Sequence, residues 1–140
     1  MQIQLSKHPT ATLDDQKASA KWDVDRAAGR ARSRYITVVP GQAETYQSKA
    51  MDAAAFLATS PDPAAPAAPG HPWVEAEAEA QGMLPVPAAQ FVLQTQAQWA
   101  SLGALIEKIR LQTKNAVTAS GTIQAVIAAR NAGTAALDAL

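Results

Sequence analysis

Cysteine is missing from this chain, and with it every disulfide, thiolate metal site and thiol nucleophile. That composition suits a protein made in a reducing cytoplasm. Aromatic residues are also scarce, at 5% of the chain, so few side chains can each bury a large area. Charge of one sign is missing too: 12 basic residues face 12 acidic ones and the formal net charge is zero. Nucleic-acid binding needs a concentrated basic face to neutralise phosphates. The densest basic run, Arg26, Arg30, Arg32 and Arg34, sits next to Asp23 and Asp25, so the expectation is no nucleic-acid partner. No apolar run approaches the roughly 18 residues of a membrane span. The start, MQIQLSKHPT, lacks the charged-then-apolar layout of a secretory signal. A soluble chain with no membrane insertion and no signal peptide of its own is expected.

What the chain does have is alanine. It accounts for much of the 48% hydrophobic fraction. Alanine has the best helix propensity but removes little apolar surface from water. The 140 residues fit one all-α domain of long helices, with further burial supplied by a partner. Self-association is the most economical source of that burial.

Residues 1–11 read as an extended arm in which Met1, Ile3 and Leu5 alternate with polar residues. The period of two fits either a frayed arm or a strand added to a partner. A helical hairpin follows over residues 12–58. Its first helix starts near Thr12, with Asp14 and Asp15 favouring the positive end of the helix dipole. Leu13, Ala20, Val24, Ala28, Ala31, Tyr35 and Val38 make one narrow stripe, and Pro40 ends the helix. After Gly41-Gln42, the second helix places Tyr46, Ala50, Ala53, Ala54 and Leu57 on one face. So short a connection predicts antiparallel neighbours.

Residues 59–72, TSPDPAAPAAPGHP, hold five prolines and predict an extended, stiff spacer. A short helix over 73–81 follows. Its Glu75, Glu77 and Glu79 are two residues apart and spread around the cylinder, as a solvated face does. From Pro87 to Leu140 the pattern is helical for 54 residues, about 80 Å if unbroken. Its seam reads Val92, Thr95, Trp99, Leu102, Ile106, Ile109, Thr113, Ala116, Ser120, Ile123, Ile127, Arg130, Thr134, Leu137, a heptad signature. Gly121 marks the point of a break near residue 120, where Ser120 or Thr122 can cap a new helix. The fold expected is the hairpin packed on this long C-terminal helix; hairpin helices of about 27 and 16 residues are too short to cover all of it, which predicts a small bundle with a projecting, self-associating C-terminal helix.

No catalytic, metal or cofactor residues emerge. His8 and His71 have no carboxylate, serine or second histidine at a recognisable spacing. No glycine-rich loop follows a strand. Trp22, Trp73 and Trp99 read as core or interface anchors, and Tyr35 and Tyr46 flank the hairpin turn. The residues expected to hold the core or the assembly are Ile3, Leu5, Tyr35, Tyr46, Leu57, Trp99, Leu102, Ile106, Ile109, Ile123 and Ile127.

From Ala20 to Ala119 the succession of DVDRAAGRARSRYIT, PGQAETYQSKAMDAAAFLA, a proline-bearing loop, PWVEAEAEAQGM and QAQWASLGALIEKIRLQTKNAV resembles small alanine-rich helical proteins encoded among tailed-bacteriophage tail and tail-fibre genes. The resemblance implies a non-enzymatic virion component of the tail: a fibre, fibre-attachment or baseplate-associated protein made in the host cytoplasm. It implies a homo-oligomer, a trimer first, in contact with other tail proteins. The alternative is an assembly chaperone left behind in the cytoplasm. No active residues or cofactors come with it. The loop at 59–72 is longer and richer in proline than the usual pattern.

Overall fold

The computed structural model describes residues 11–35 and 41–140. Those residues form helices and no strand: α1 (Leu13–Ser33), α2 (Gln42–Ala58), α3 (Pro72–Gln81), α4 (Pro85–Ala119) and α5 (Ile123–Asp138). The all-α expectation holds. Ile3, Leu5 and His8 of the arm, and Val38 and Pro40 of the hairpin turn, lie outside the described residues. No helix among the described residues is long and apolar enough to cross a membrane.

The chain divides into two compact units. A terminal unit takes the chain as far as Arg34 together with Ala104–Leu140, and a central unit takes Tyr35–Gly103. The two helices of the 12–58 hairpin therefore belong to different units, while α4 contributes to both.

In the terminal unit, α1 opens on a capping box. Asp15 N donates to Thr12 Oγ1 at 3.1 Å, and Thr12 N donates back to Asp15 Oδ2 at 3.0 Å. That backbone hydrogen bond from Thr12 holds the Asp15 carboxyl below its ordinary pKa. The helix ends at Ser33, earlier than the proline predicts. The four β-branched residues that follow, Ile36 to Val39, are poor helix formers. Its buried face is Ala20, Val24, Ala27, Ala28 and Ala31.

Ion pairs and side-chain hydrogen bonds show how the three helices run. Lys17 Nζ donates to Thr118 O at 2.8 Å, Asp25 meets Arg110 and Lys114 at 2.8 Å each, and Arg32 meets Glu107 at 3.2 Å. Ascending α1 numbers pair with descending α4 numbers, so these helices are antiparallel. Against α5 the numbers rise together: Asp23 with Arg130 at 3.6 Å and Arg30 with Asp138 at 3.3 Å, while Arg34 donates to Leu137 O at 2.6 Å. Those helices are parallel. Arg30, Arg32 and Arg34 thus tie α1 to α4 and α5.

The helical break falls where glycine and serine predict it. α4 stops at Ala119 and Thr122 caps α5, its Oγ1 accepting from Ala125 N at 3.1 Å. The projecting helix does not follow. α5 turns back and buries Val126, Gly133 and Leu137. Gly133 lies so close to α4 that a Cβ there would sit 2.2 Å from Thr113 Oγ1 and Cγ2. Heptad counting fails across the break because a new helix starts with a new phase. Ile123 and Ile127, expected in the seam, are 37% and 38% exposed, and Val126 takes the inward position. Within α4 the seam drifts as well: Val117 is buried and Ala116 exposed, as a 3.6-residue helix departs from a 3.5-residue count.

The central unit is built on Ala53 and Phe56 of α2, Ala68, Val74 of α3, and Val86 and Ala89 of α4, with Leu57, Val92 and Leu93 packed against them. Ala68 belongs to the proline-rich loop, which is therefore folded onto the core and is no spacer. Two turns shape it, closed by Ala65 N to Asp62 O at 2.9 Å and His71 N to Ala68 O at 3.0 Å. Asp52 of α2 then serves as the cap that α3 lacks locally. Its Oδ2 accepts from Trp73 N at 2.8 Å and Val74 N at 3.1 Å, and its Oδ1 meets His71 Nδ1 at 2.9 Å. The glutamates of α3 are not one solvated face either. Glu77 is buried and ion-paired with Lys49, and Glu75 accepts from Ala68 N at 3.1 Å. Gly82, at φ 64°, ends α3 with Met83 N bonded to Ala78 O at 2.9 Å, the left-handed stop that glycine permits.

An aromatic-lined groove as candidate functional site

α2 and α4 of the central unit leave an open groove of about 230 Å³. Ala43, Tyr46 and Lys49 repeat every third residue on α2, and Phe91, Thr95 and Trp99 every fourth on α4, so each set shares one helix face. Val92, Gln96 and Glu77 complete the wall. Tyr35 meets the Trp99 ring edge-on, with centroids 6.0 Å apart and planes at 73°. The wall's two charged groups, Lys49 and Glu77, are satisfied by each other. What remains is a largely apolar surface in which Tyr46, Thr95, Gln96 and Trp99 carry the polar atoms.

Two other places carry polar chemistry. A shallow cleft between α1 and α5 is lined by Asp23, Arg26, Arg30, Arg130, Asn131, Thr134 and Asp138. Its arginines are largely neutralised, since Arg30 pairs with Asp138 and Arg130 with Asp23. The second place is His71, whose carboxylate partner is 19 residues back in sequence. Its ring lies between Asp52 and the Phe56 ring, 5.2 Å away at 54°. A histidine oriented by an aspartate is half of a nucleophile-activating arrangement. Among the described residues no serine or threonine hydroxyl bonds that ring, and the same aspartate is committed to the α3 backbone. Nor do three or more histidines, aspartates or glutamates gather as a metal site among the described residues.

In the terminal unit, charges converge on the α1–α4 seam. Burial pushes the Asp25 carboxyl up, but hydrogen bonds from Lys114 and Arg110 outweigh it and hold the group below its ordinary range. Glu107 is lowered mainly by its hydrogen bonds to Arg110, and the Arg110 guanidinium is raised in turn by Glu107 and Asp25. This network ties α1 to α4 at one register.

The residues singled out from sequence separate accordingly. Tyr46 and Trp99 line the groove, and Tyr35 joins it through Trp99. Leu57 packs against the central core, Ile106 is fully buried, and Leu102 and Ile109 are half-buried. Ile123 and Ile127 are outside the core. Trp22, read as an anchor, stands 65% exposed on α1. Sequence reading missed Phe56, Phe91 and Asp52. Phe56 follows Ala53 at helical spacing and was open to detection, while Phe91 stands one position off the chosen seam. Asp52 has no local signal, because it acts on a helix that begins twenty residues later. Protein-family models, curated proteins and solved structures offer no match to this chain.

Proposed function

We propose that this chain is a non-enzymatic structural component of a bacteriophage tail, a fibre, fibre-attachment or baseplate-associated protein that works by assembling with copies of itself and with other tail proteins. The tail assignment is supported by the ordered resemblance across residues 20–119. A binding role is supported by one observation above all, the open aromatic-lined groove. Its wall offers contact area and ring edges, and its charged pair among the described residues, Lys49 and Glu77, is self-neutralised. Self-association no longer draws on an uncovered C-terminal helix, since α5 folds back on α1 and α4. It draws on this groove and on the large apolar side chains left in solvent.

Mass spectrometry of purified particles of the phage that encodes the chain tests the reading. The expected result is recovery of the protein at a fixed copy number with the tail. Abundance in infected-cell lysate with absence from particles would sink it. That outcome favours the second reading, an assembly chaperone whose open groove holds a tail protein until the tail is built.

A further inference from the structure

We propose that the groove of one copy is filled by Trp22 of a second copy. The inference rests on the self-assembly part of the function proposed above and is independent of the tail assignment. Trp22 lies two residues from each of Ala20 and Val24, which are both buried, so at about 100° per residue it stands on the opposite side of α1. It is 65% exposed, on a helix whose neighbouring outward residues are Ser19 and Arg26. Indole is the largest apolar side chain a protein has, and fully burying an aromatic removes about 150–250 Å² from water. Leaving one in solvent forfeits that gain unless a partner recovers it.

The groove has the complementary shape and chemistry. A dry cavity of about 150 Å³ holds one benzene ring. The 230 Å³ here therefore has room for a bicyclic ring. Tyr46, Phe91 and Trp99 offer edges and faces to it, and the side-chain oxygens of Thr95 and Gln96 can accept the indole N–H, a donor that needs a partner once buried. Met51 is more exposed, at 74%, but a flexible thioether chain has neither the ring faces nor the donor that this wall answers.

Every copy gives one tryptophan and receives another. Where two copies exchange tryptophans reciprocally, the product is a closed dimer; where the contact runs head to tail and its rotation closes, the product is a ring. If it does not, the product is a filament.

Sedimentation velocity over a concentration series tests this with two full-length variants, Trp22→Ala and Ala43→Trp. The second fills the groove from an exposed position in the first turn of α2. The wild type is expected to self-associate, and each variant alone to associate roughly 30-fold more weakly, as truncation of a hot-spot tryptophan does. Unchanged helical circular dichroism certifies that both fold. The decisive measurement is the mixture. Trp22→Ala keeps an open groove and Ala43→Trp keeps a knob, so together they are expected to form a heterodimer and stop there. A monomeric wild type, a Trp22→Ala variant that assembles as the wild type does, or a mixture that stays apart overturns the proposal. Absence of the protein from phage particles would remove the tail assignment and leave this interface standing.

Discussion

The terminal and central units solve the same problem of low aromatic content in different ways. In the terminal unit the buried face of α1 is four alanines and a valine. Such a face packs closely but says little about where along the partner helix it should sit. Charges at fixed heights supply that information: Asp23, Asp25, Arg30 and Arg32 each meet one level of α4 or α5. The α2 face of the central unit instead buries a ring, Phe56, against Val74 and Val86. One carboxylate, Asp52, joins α2, the proline-rich loop and α3. Where a helix face is alanine, register is carried by ion pairs; where the face carries a ring, position is carried by burial of that ring together with the Asp52 clamp and the pair of buried Glu77 with Lys49.

That contrast predicts unequal sensitivities. The largest effect belongs to the central unit. Phe56→Ala is expected to cost about 3–5 kcal/mol in urea unfolding, because removing a buried ring loses transfer free energy and leaves a cavity. Amide hydrogen exchange should rise in α2 and α3 first. A loss below about 1 kcal/mol would mean that the ring is not the centre of that unit. Next comes the close approach in the terminal unit. Gly133→Ala drives a methyl into Thr113 and is expected to cost about 1–3 kcal/mol. In a Thr113→Ala background the clash is partly relieved, so the two costs should not add. Strict additivity would show that the helices simply move apart there.

The Asp52 clamp ranks third. Asp52→Ala strips acceptors from the Trp73 and Val74 amides and from His71, and is expected to cost about 1–3 kcal/mol. Asp52→Asn keeps a carbonyl oxygen and should lose less. Exchange of the amides in the first turn of α3 reports the loss directly, and protection unchanged in Asp52→Ala would overturn the clamp.

The units also differ in how much of them the sequence reveals. The capping of α1 by Thr12 and the break before Thr122 are local signals, written in adjacent residues, and both are readable. The helical period identifies most of the α1 face for the same reason. The return of α5 is not readable, because Ile123 and Ile127 extend the apparent seam and the phase change at Gly121 leaves no compositional trace. Nor is the folded state of residues 59–72, where proline density points to an extended chain while Ala68 and Asp52 decide otherwise. The groove is half visible: Tyr46 and Trp99 stand out as aromatics in an alanine-rich chain, but their convergence depends on packing between distant helices.

The smallest effect tests whether charge, rather than shape, sets the register of α1. Asp25 has a lowered folded-state pKa, as do Glu107 and Asp15. A carboxyl with a depressed folded value contributes stability above its unfolded value, about 4, and loses it as pH falls through the folded value. The terminal unit should therefore weaken below about pH 4. Asp25 is partly in solvent, so screening keeps its share to about 1 kcal/mol or less. Asp25→Asn should be less stable than the wild type at neutral pH, and the gap between them should narrow when both are unfolded in urea near pH 3. High salt should narrow it as well, since ions screen exposed pairs. A gap that is the same at both pH values and in salt would assign the contribution of Asp25 to hydrogen-bond geometry, and the terminal unit would then be ordered by shape after all.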